Sequence, residues 1–125
     1  VDDFKKLNDE YGHSVGDVAL KELSSTLANI IAEEQGYIAR YGGEEFIVFL
    51  ESISRTHAER ACQVLVKTIS TAIYSGLPKL TISLGGYYTT GLEGSVSECI
   101  ELADQTLLEV KRSGKNNFQI KNLDS

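Results

Sequence analysis

The chain has 125 residues, enough for one domain whose core can be stable without disulfide or metal staples. Its 42% hydrophobic and 24% charged residues, with a single proline, exclude a disordered segment, and no apolar run approaches the ~20 residues of a membrane-spanning helix. A net charge of −6 argues against sequence-independent binding to a nucleic acid polymer, which needs a cationic surface, but leaves room for a small phosphate ligand held by local cations or a metal.

In chain order, the first strong helical pattern runs from about Asp17 to Glu34, with Leu20, Leu23, Leu27, Ile30 and Ile31 on one face, and Gly36 is expected to end it. Two short aromatic and aliphatic runs, Tyr37–Tyr41 and Phe46–Leu50, flank Gly42-Gly43-Glu44-Glu45 and predict a β-hairpin. A second helix is expected from about Thr56 to Tyr74. It opens on a Thr56-x-x-Glu59 capping box and carries an apolar stripe of Ala58, Ala61, Val64, Leu65, Ile69 and Ile73. Pro78 precedes a strand at Leu80–Tyr88; a third helix spans about Ser97 to Arg112 and stops at Gly114, and a last strand covers Phe118–Lys121. Cys62 and Cys99 lie far apart with no CxxC or Cys/His cluster, which reads as two buried thiols rather than a disulfide or a zinc site.

The order is α-β-β-α-β-α-β, and a strand before Val1 would complete a ferredoxin-like βαββαβ core, an α+β fold with an antiparallel central sheet and helices on one face. Val1-Asp2-Asp3-Phe4 reads like the end of such a strand, so the chain is expected to be one domain, residues 1–125, shortened at its N-terminus and belonging to a longer protein.

Glu44 and Glu45 at a hairpin tip read, on their own, as solvated turn residues. Their weight rises with the other candidates: Asp2 and Asp3 at a strand end, then Lys5, Asn8, His13 and Asp17, then Lys111 and Lys115 around the end of the last helix. Paired carboxylates suit hard divalent cations that bridge protein to nucleotide phosphates, and nearby lysines would neutralise the remaining phosphate charge.

These residues carry a resemblance. Arg40-Tyr41-Gly42-Gly43-Glu44-Glu45-Phe46, preceded by Asp2-x-Phe4-Lys5-x-x-Asn8-Asp9-x-Tyr11-Gly12-His13-x-x-Gly16-Asp17, is similar to the GGDEF family of diguanylate cyclases. Thr81-Ile82-Ser83-Leu84-Gly85 and Ala103-Asp104-x-x-Leu107-x-x-x-Lys111-x-x-Gly114-Lys115-Asn116 follow in matching order, so the likeness spans nearly the whole chain.

The resemblance implies a nucleotide-cyclase or polymerase-palm fold and condensation of two GTP molecules into cyclic di-GMP with loss of two pyrophosphates. It implies Glu44 as metal ligand and essential acid or base, Glu45 beside it in the signature, and the Val1 carbonyl as a further ligand of Mg²⁺ or Mn²⁺. Gly42 and Gly43 would let GTP approach the backbone, Asn8 and Asp17 would read the guanine edge, and His13 would lie near substrate. Lys5, Lys111 and Lys115 would face the phosphates, and backbone amides around Asp3 and Phe4 would cradle them. A homodimer bringing two GTP sites face to face, a fused input or output domain, and a cytoplasmic setting with any membrane tether in the parent protein are also implied.

Two departures stand out. The first acid of the family's D-x-D-x-F-K pattern would precede Val1, so the isolated segment is expected to lack one metal ligand. The stretch matching an inhibitory Arg-x-x-Asp motif is Glu33-Glu34-Gln35-Gly36, whose acidic first residue is unsuited to gripping a phosphate. Other readings compete: a non-catalytic module binding GTP or cyclic di-GMP, another cyclase on a similar fold, Asn8 and Asp17 as a helix-capping pair, and Lys111 as a helix C-terminal charge. Asp2 reads as structural, His57 as a solvated first-turn residue, and Tyr37, Tyr41, Phe46 and Phe49 as core and hairpin packing.

Overall fold

The computed structural model describes residues 1–51, 53–89 and 96–122. In chain order these form α1 (Phe4–Tyr11), α2 (His13–Glu33), β1 (Tyr37–Arg40), β2 (Phe46–Phe49), α3 (Arg55–Thr71), β3 (Leu84–Tyr88), α4 (Val96–Arg112) and β4 (Phe118–Asn122). The class is α+β, as the element pattern led us to expect. No described helix is long and apolar enough to cross a membrane.

The core gathers Leu7 of α1, Ala19, Leu23, Leu27 and Ile31 of α2, Leu65, Val66 and Ile69 of α3, and Leu80 and Ile82 from the segment before β3. Burying each of the larger side chains stabilises the fold by roughly 1.5–3 kcal/mol. Ile38, Phe46 and Val48 pack on this cluster from the hairpin. In the paired register, Ile38 faces Val48 and Arg40 faces Phe46, so these four share one side of the ribbon.

The strands pair as two separate ladders among the described residues: β1 with β2 antiparallel, and β3 with β4 parallel. The parallel pair needs a crossover, and α4 supplies it, lying against both strands. The contact is close: a Cβ on Gly85 would fall 2.2 Å from the Leu107 nitrogen and 2.4 Å from the Ala103 oxygen of α4. The single antiparallel central sheet is therefore not formed as one ladder. Among the described residues the first ones run between its two parts, the Val1 nitrogen donating to the Glu44 oxygen at 3.3 Å and the Asp2 amide to the Thr81 oxygen at 3.0 Å. Residues 80–83, expected as strand, lack ladder pairing for the same reason and remain buried at Leu80, Ile82 and Ser83.

Several local expectations are corrected. The first helical region begins at Phe4, not Asp17, and is broken at Gly12, whose φ of 89° lies outside helical space. At the end of α2 it is Gln35 that takes the left-handed conformation, φ 56°, while Gly36 is required by crowding: a Cβ there would meet Leu50 Cδ2 at 2.5 Å and the Phe49 oxygen at 2.7 Å. α3 ends at Thr71, leaving Ile73 88% exposed, and Val64 points outward as well. Its cap is Ser54, accepting from the His57 amide at 3.1 Å, and Glu59 pairs instead with Arg55 one turn back. Tyr37, Tyr41 and Phe49 are exposed rather than core, because Tyr37 and Phe49 face each other on the side of the hairpin away from α2; Phe46 alone of the four packs inward.

Candidate functional site

The N-terminal segment, the hairpin tip and the turn after α4 meet at one end of the molecule. Asp2 is the knot. Its carboxylate accepts from Ser83 Oγ at 2.6 Å, Thr81 Oγ1 at 2.7 Å and the Asn116 amide at 3.0 Å. A carboxylate so engaged stitches three segments together, and its structural reading stands. Asp3, at φ 55° immediately before α1, makes no cap to that helix; its carboxylate pairs with Lys115 Nζ at 2.6 Å. The first-turn amides of α1, including that of Phe4, thus lack a side-chain acceptor from the residue that usually provides one.

The Lys115 hydrogen bond lowers the Asp3 pKa, and the same bond raises that of Lys115. The depressed carboxylate contributes stability above its unfolded pKa and loses it as pH falls. The raised ammonium contributes below its unfolded pKa and loses it as pH rises, so the pair holds from about pH 4 to about pH 10. Both side chains are exposed and screened by salt. Lys115 therefore stands committed to Asp3 rather than extended from the end of the molecule.

The hairpin tip is a five-residue loop, Tyr41–Glu45, closed by the Tyr41 amide on the Glu45 oxygen at 2.9 Å. Glu44 and Glu45 are exposed on it. A Cβ added to Gly42 or Gly43 would meet nothing within 4 Å, and neither residue has positive φ, so the turn itself demands glycine at neither position. The Val1 nitrogen lies among Asp2, Lys111, Glu44 and Glu45. Lys111 thereby joins the tip from the last turn of α4.

A half-open cleft of about 300 Å³ lies beside this tip, lined by Asp17, Leu20, Lys21 and Ser24 of α2, Arg40 of β1 and Phe46 of β2. Asp17 sits one turn into α2, whose N-cap is Gly12, and neither α1 nor α2 has a side-chain cap bond; Asn8 and Asp17 are not a capping pair. Asn8 lies inside α1 against Gly16, where a Cβ would come 1.8 Å from Asn8 Oδ1. That oxygen is buried without a hydrogen-bond partner among the described residues. Such an orphan costs about 1–3 kcal/mol unless something fills it.

His13 and Lys5 are exposed on the helices, and among the described residues neither side chain is hydrogen-bonded to the tip. Sequence reasoning did not single out Lys21, Ser24 and Arg40 as lining a cleft. Asp17, Lys21 and Ser24 recur at i, i+4 and i+7, a polar stripe that could have been read beside the apolar one. Among the described residues no group of three or more His, Cys, Asp or Glu side chains gathers to hold an ion. Glu44 with the adjoining Val1 main chain is a sparse donor set, of the kind that suits a cation bringing most of its shell as water and phosphate, as Mg²⁺ does. Neither cysteine is in a disulfide, and burial pushes the Cys62 thiol up to about 11, which keeps it protonated and unreactive at neutral pH. At the stretch that matches the Arg-x-x-Asp position, Glu34 caps the end of α2 and pairs with the His57 ring nitrogen of α3, so His57 is paired rather than simply solvated.

The fold, with its acidic hairpin tip between a cleft and the N-terminal segment, is that of the nucleotide-cyclase and polymerase-palm class. The chain belongs to the GGDEF family: the model of the diguanylate cyclase GGDEF domain matches residues 1–117. It is 37% identical over 124 residues to diguanylate cyclase A of Treponema denticola, covering 96% of this chain and 33% of that protein. To diguanylate cyclase DgcM of Escherichia coli K12 it is 35% identical over 116 residues, covering 93% and 28%. Among solved structures, the active GGEEF domain of a diguanylate cyclase from Vibrio cholerae superimposes with a TM-score of 0.84 at 26% identity, over 95% of this chain and 76% of that one. The coiled coil and GGDEF domain of Caulobacter crescentus DgcB, in complex with c-di-GMP, gives 0.84 at 26% identity, over 96% and 65%. The chain spans about a third or less of the length of the curated relatives it matches.

Proposed function

We propose that this chain is the catalytic domain of a diguanylate cyclase that joins two GTP molecules into cyclic di-GMP and releases two pyrophosphates. The observation that carries the reading is the orphaned Asn8 Oδ1, which lies against Gly16, the residue before the cleft-lining Asp17. An unfilled buried acceptor near a carboxylate calls for a ligand edge rich in N–H donors. Guanine, with its N1–H and amino group, presents one, whereas adenine has an unprotonated N1. The two glycines that the turn does not need support close approach of a ligand to the tip.

In this reading Asn8 and Asp17 orient the base, and Phe4 and Lys5 at the start of α1 offer amides and a cation to the phosphates. Gly42 and Gly43 leave the tip open to the nucleotide, and His13 lies near it. Lys111 balances phosphate charge, and Lys115 does so on release from Asp3. Mg²⁺ or Mn²⁺, held by Glu44 and the Val1 carbonyl, would lower the pKa of a ribose hydroxyl and stabilise the leaving pyrophosphate. The 3′-oxygen of one GTP bonds to the α-phosphorus of the other as the bond to pyrophosphate breaks, and Glu44, with Glu45 beside it, takes the hydroxyl proton. Each domain binds one GTP, so two copies face each other about a two-fold axis. An input or output domain elsewhere in the protein would govern that meeting.

The test is incubation of the full-length protein with Mg²⁺ and either GTP or ATP, followed by chromatography. Cyclic di-GMP from GTP alone is expected, with Asn8→Ala and Asp17→Ala each raising KM for GTP by about tenfold, the loss of one good hydrogen bond to the base. Tight GTP binding without turnover would instead assign a sensing module.

A further inference from the structure

We propose that Arg40 is a positioning residue that aims Glu44 by gripping the carbonyl oxygen of Gly43. This rests on the cyclase reading for its consequence but not for its geometry. Arg40 is the last residue of β1, and its guanidinium turns back over the loop it precedes. Nη2 donates to the Gly43 oxygen at 2.6 Å and Nε to the same oxygen at 3.1 Å, with a long third approach of Nε to the Gly42 oxygen at 3.4 Å.

The Gly43 carbonyl belongs to the peptide unit that ends in the Glu44 nitrogen. Because that unit is planar, holding its oxygen restrains the Glu44 nitrogen and Cα with it and narrows the directions in which the side chain can leave the backbone. The loop is closed by the Tyr41 and Gly42 amides on the Glu45 oxygen, at 2.9 and 3.4 Å, and the Glu44 oxygen accepts from the Val1 nitrogen, but among the described residues it is the Arg40 guanidinium that holds the Gly43 oxygen. Gly42 and Gly43 have no side chains, and space around both is open, so packing cannot set the loop. Without the fork, two adjacent glycines would sample many conformations, at an entropic cost to every encounter that requires one of them. Lysine could supply the charge but not two donors in a fixed plane.

Arg40 also lines the cleft with Asp17 and Phe46. Arg40 thus stands between the proposed base site and the acid, touching the loop on one side and the cleft on the other. Its loss has separable signatures according to which contact matters. Failure to aim Glu44 lowers kcat, whereas loss of a contact to the base raises KM.

The experiment compares wild type, Arg40→Lys and Arg40→Ala in the full-length protein, by amide hydrogen exchange without nucleotide, thermal melting and steady-state kinetics with GTP. Both variants are expected to lose about tenfold or more of the protection at the Tyr41 and Gly42 amides, with melting nearly unchanged because Arg40 is exposed. Both should also lose about 100-fold in kcat, the cost of a misplaced reacting group, with KM within about threefold. Arg40→Lys that keeps wild-type protection and kcat overturns the proposal, as does a rise in KM alone. A wild type that never turns over GTP sinks the cyclase reading instead. In that case lost loop protection in both variants still supports the grip, and retained protection overturns it.

Discussion

Glu44→Gln is expected to bring cyclic di-GMP formation down by about 10²–10⁴-fold, or below detection, while GTP still binds. The change keeps the size of the side chain and removes the charge that a cation needs and the base that a proton needs. Glu44 is exposed at the tip of a loop, so nothing in the core feels the substitution. The cleft proposed to take the base is walled by α2, Arg40 and Phe46, and Glu44 is not among its lining residues. Product measured by chromatography and GTP affinity measured by calorimetry separate the two effects. A Glu44→Gln protein with ordinary turnover would remove the acid from the chemistry.

Gly85→Ala is expected to be the most damaging added methyl among the described glycines, and Gly42→Ala is its counterpart. At Gly85 the new carbon would lie 2.2 Å from Leu107 N, 2.4 Å from Ala103 O and 2.6 Å from Leu107 Cα, all backbone atoms of α4 that no rotamer change can move aside. The helix must shift off β3, at a cost of about 1–3 kcal/mol or more, and each kcal/mol lowers Tm by about 4–8 °C in a small domain. At Gly42 the same methyl meets nothing, and stability should stay within about 0.5 kcal/mol of wild type, with Tm shifted by no more than a few degrees. Its effect should fall on turnover, because the open space is where the nucleotide is proposed to approach. Thermal melting and kinetics on the two variants check this division; equal Tm losses would contradict it.

Much of this architecture could be read from residue patterns. The α2 stripe of Leu20, Leu23, Leu27 and Ile31 is buried as its spacing requires, and the glycine-bearing turn joins an antiparallel pair. What pattern could not show is tertiary. Phe4–Tyr11 carries only Phe4, Leu7 and Tyr11 as apolar marks, so a short charged helix was invisible until Leu7 found the core and Asn8 met Gly16. Ile73 and Val64 fit a helical stripe on paper, but the chain leaves the helix at Thr71 and the packed face is set by Leu65, Val66 and Ile69. The hairpin aromatics looked like core because burial in a strand alternates, and alternation alone does not say which face meets α2.

The site shows the same division. Motif position named Asn8, Asp17 and Glu44, and the structure sets Asn8 beside Gly16 and Asp17 on the wall of a cleft next to the Glu44 tip. Arg40 went unassigned because its partners are main-chain oxygens, which no side-chain pattern encodes. Lys115 matched a phosphate-facing position, yet it is held by Asp3, a pairing across 112 residues that spacing could not suggest.

The most direct measurement is a crystal structure of the protein with Mg²⁺ and a non-hydrolysable GTP analogue. The guanine edge is expected against Asn8 Oδ1 and the Asp17 carboxylate, with the phosphates running to Gly42, Gly43 and the start of α1 and the ion on Glu44. A nucleotide bound elsewhere, leaving the Asn8 oxygen unpartnered and Glu44 without an ion, would contradict the account.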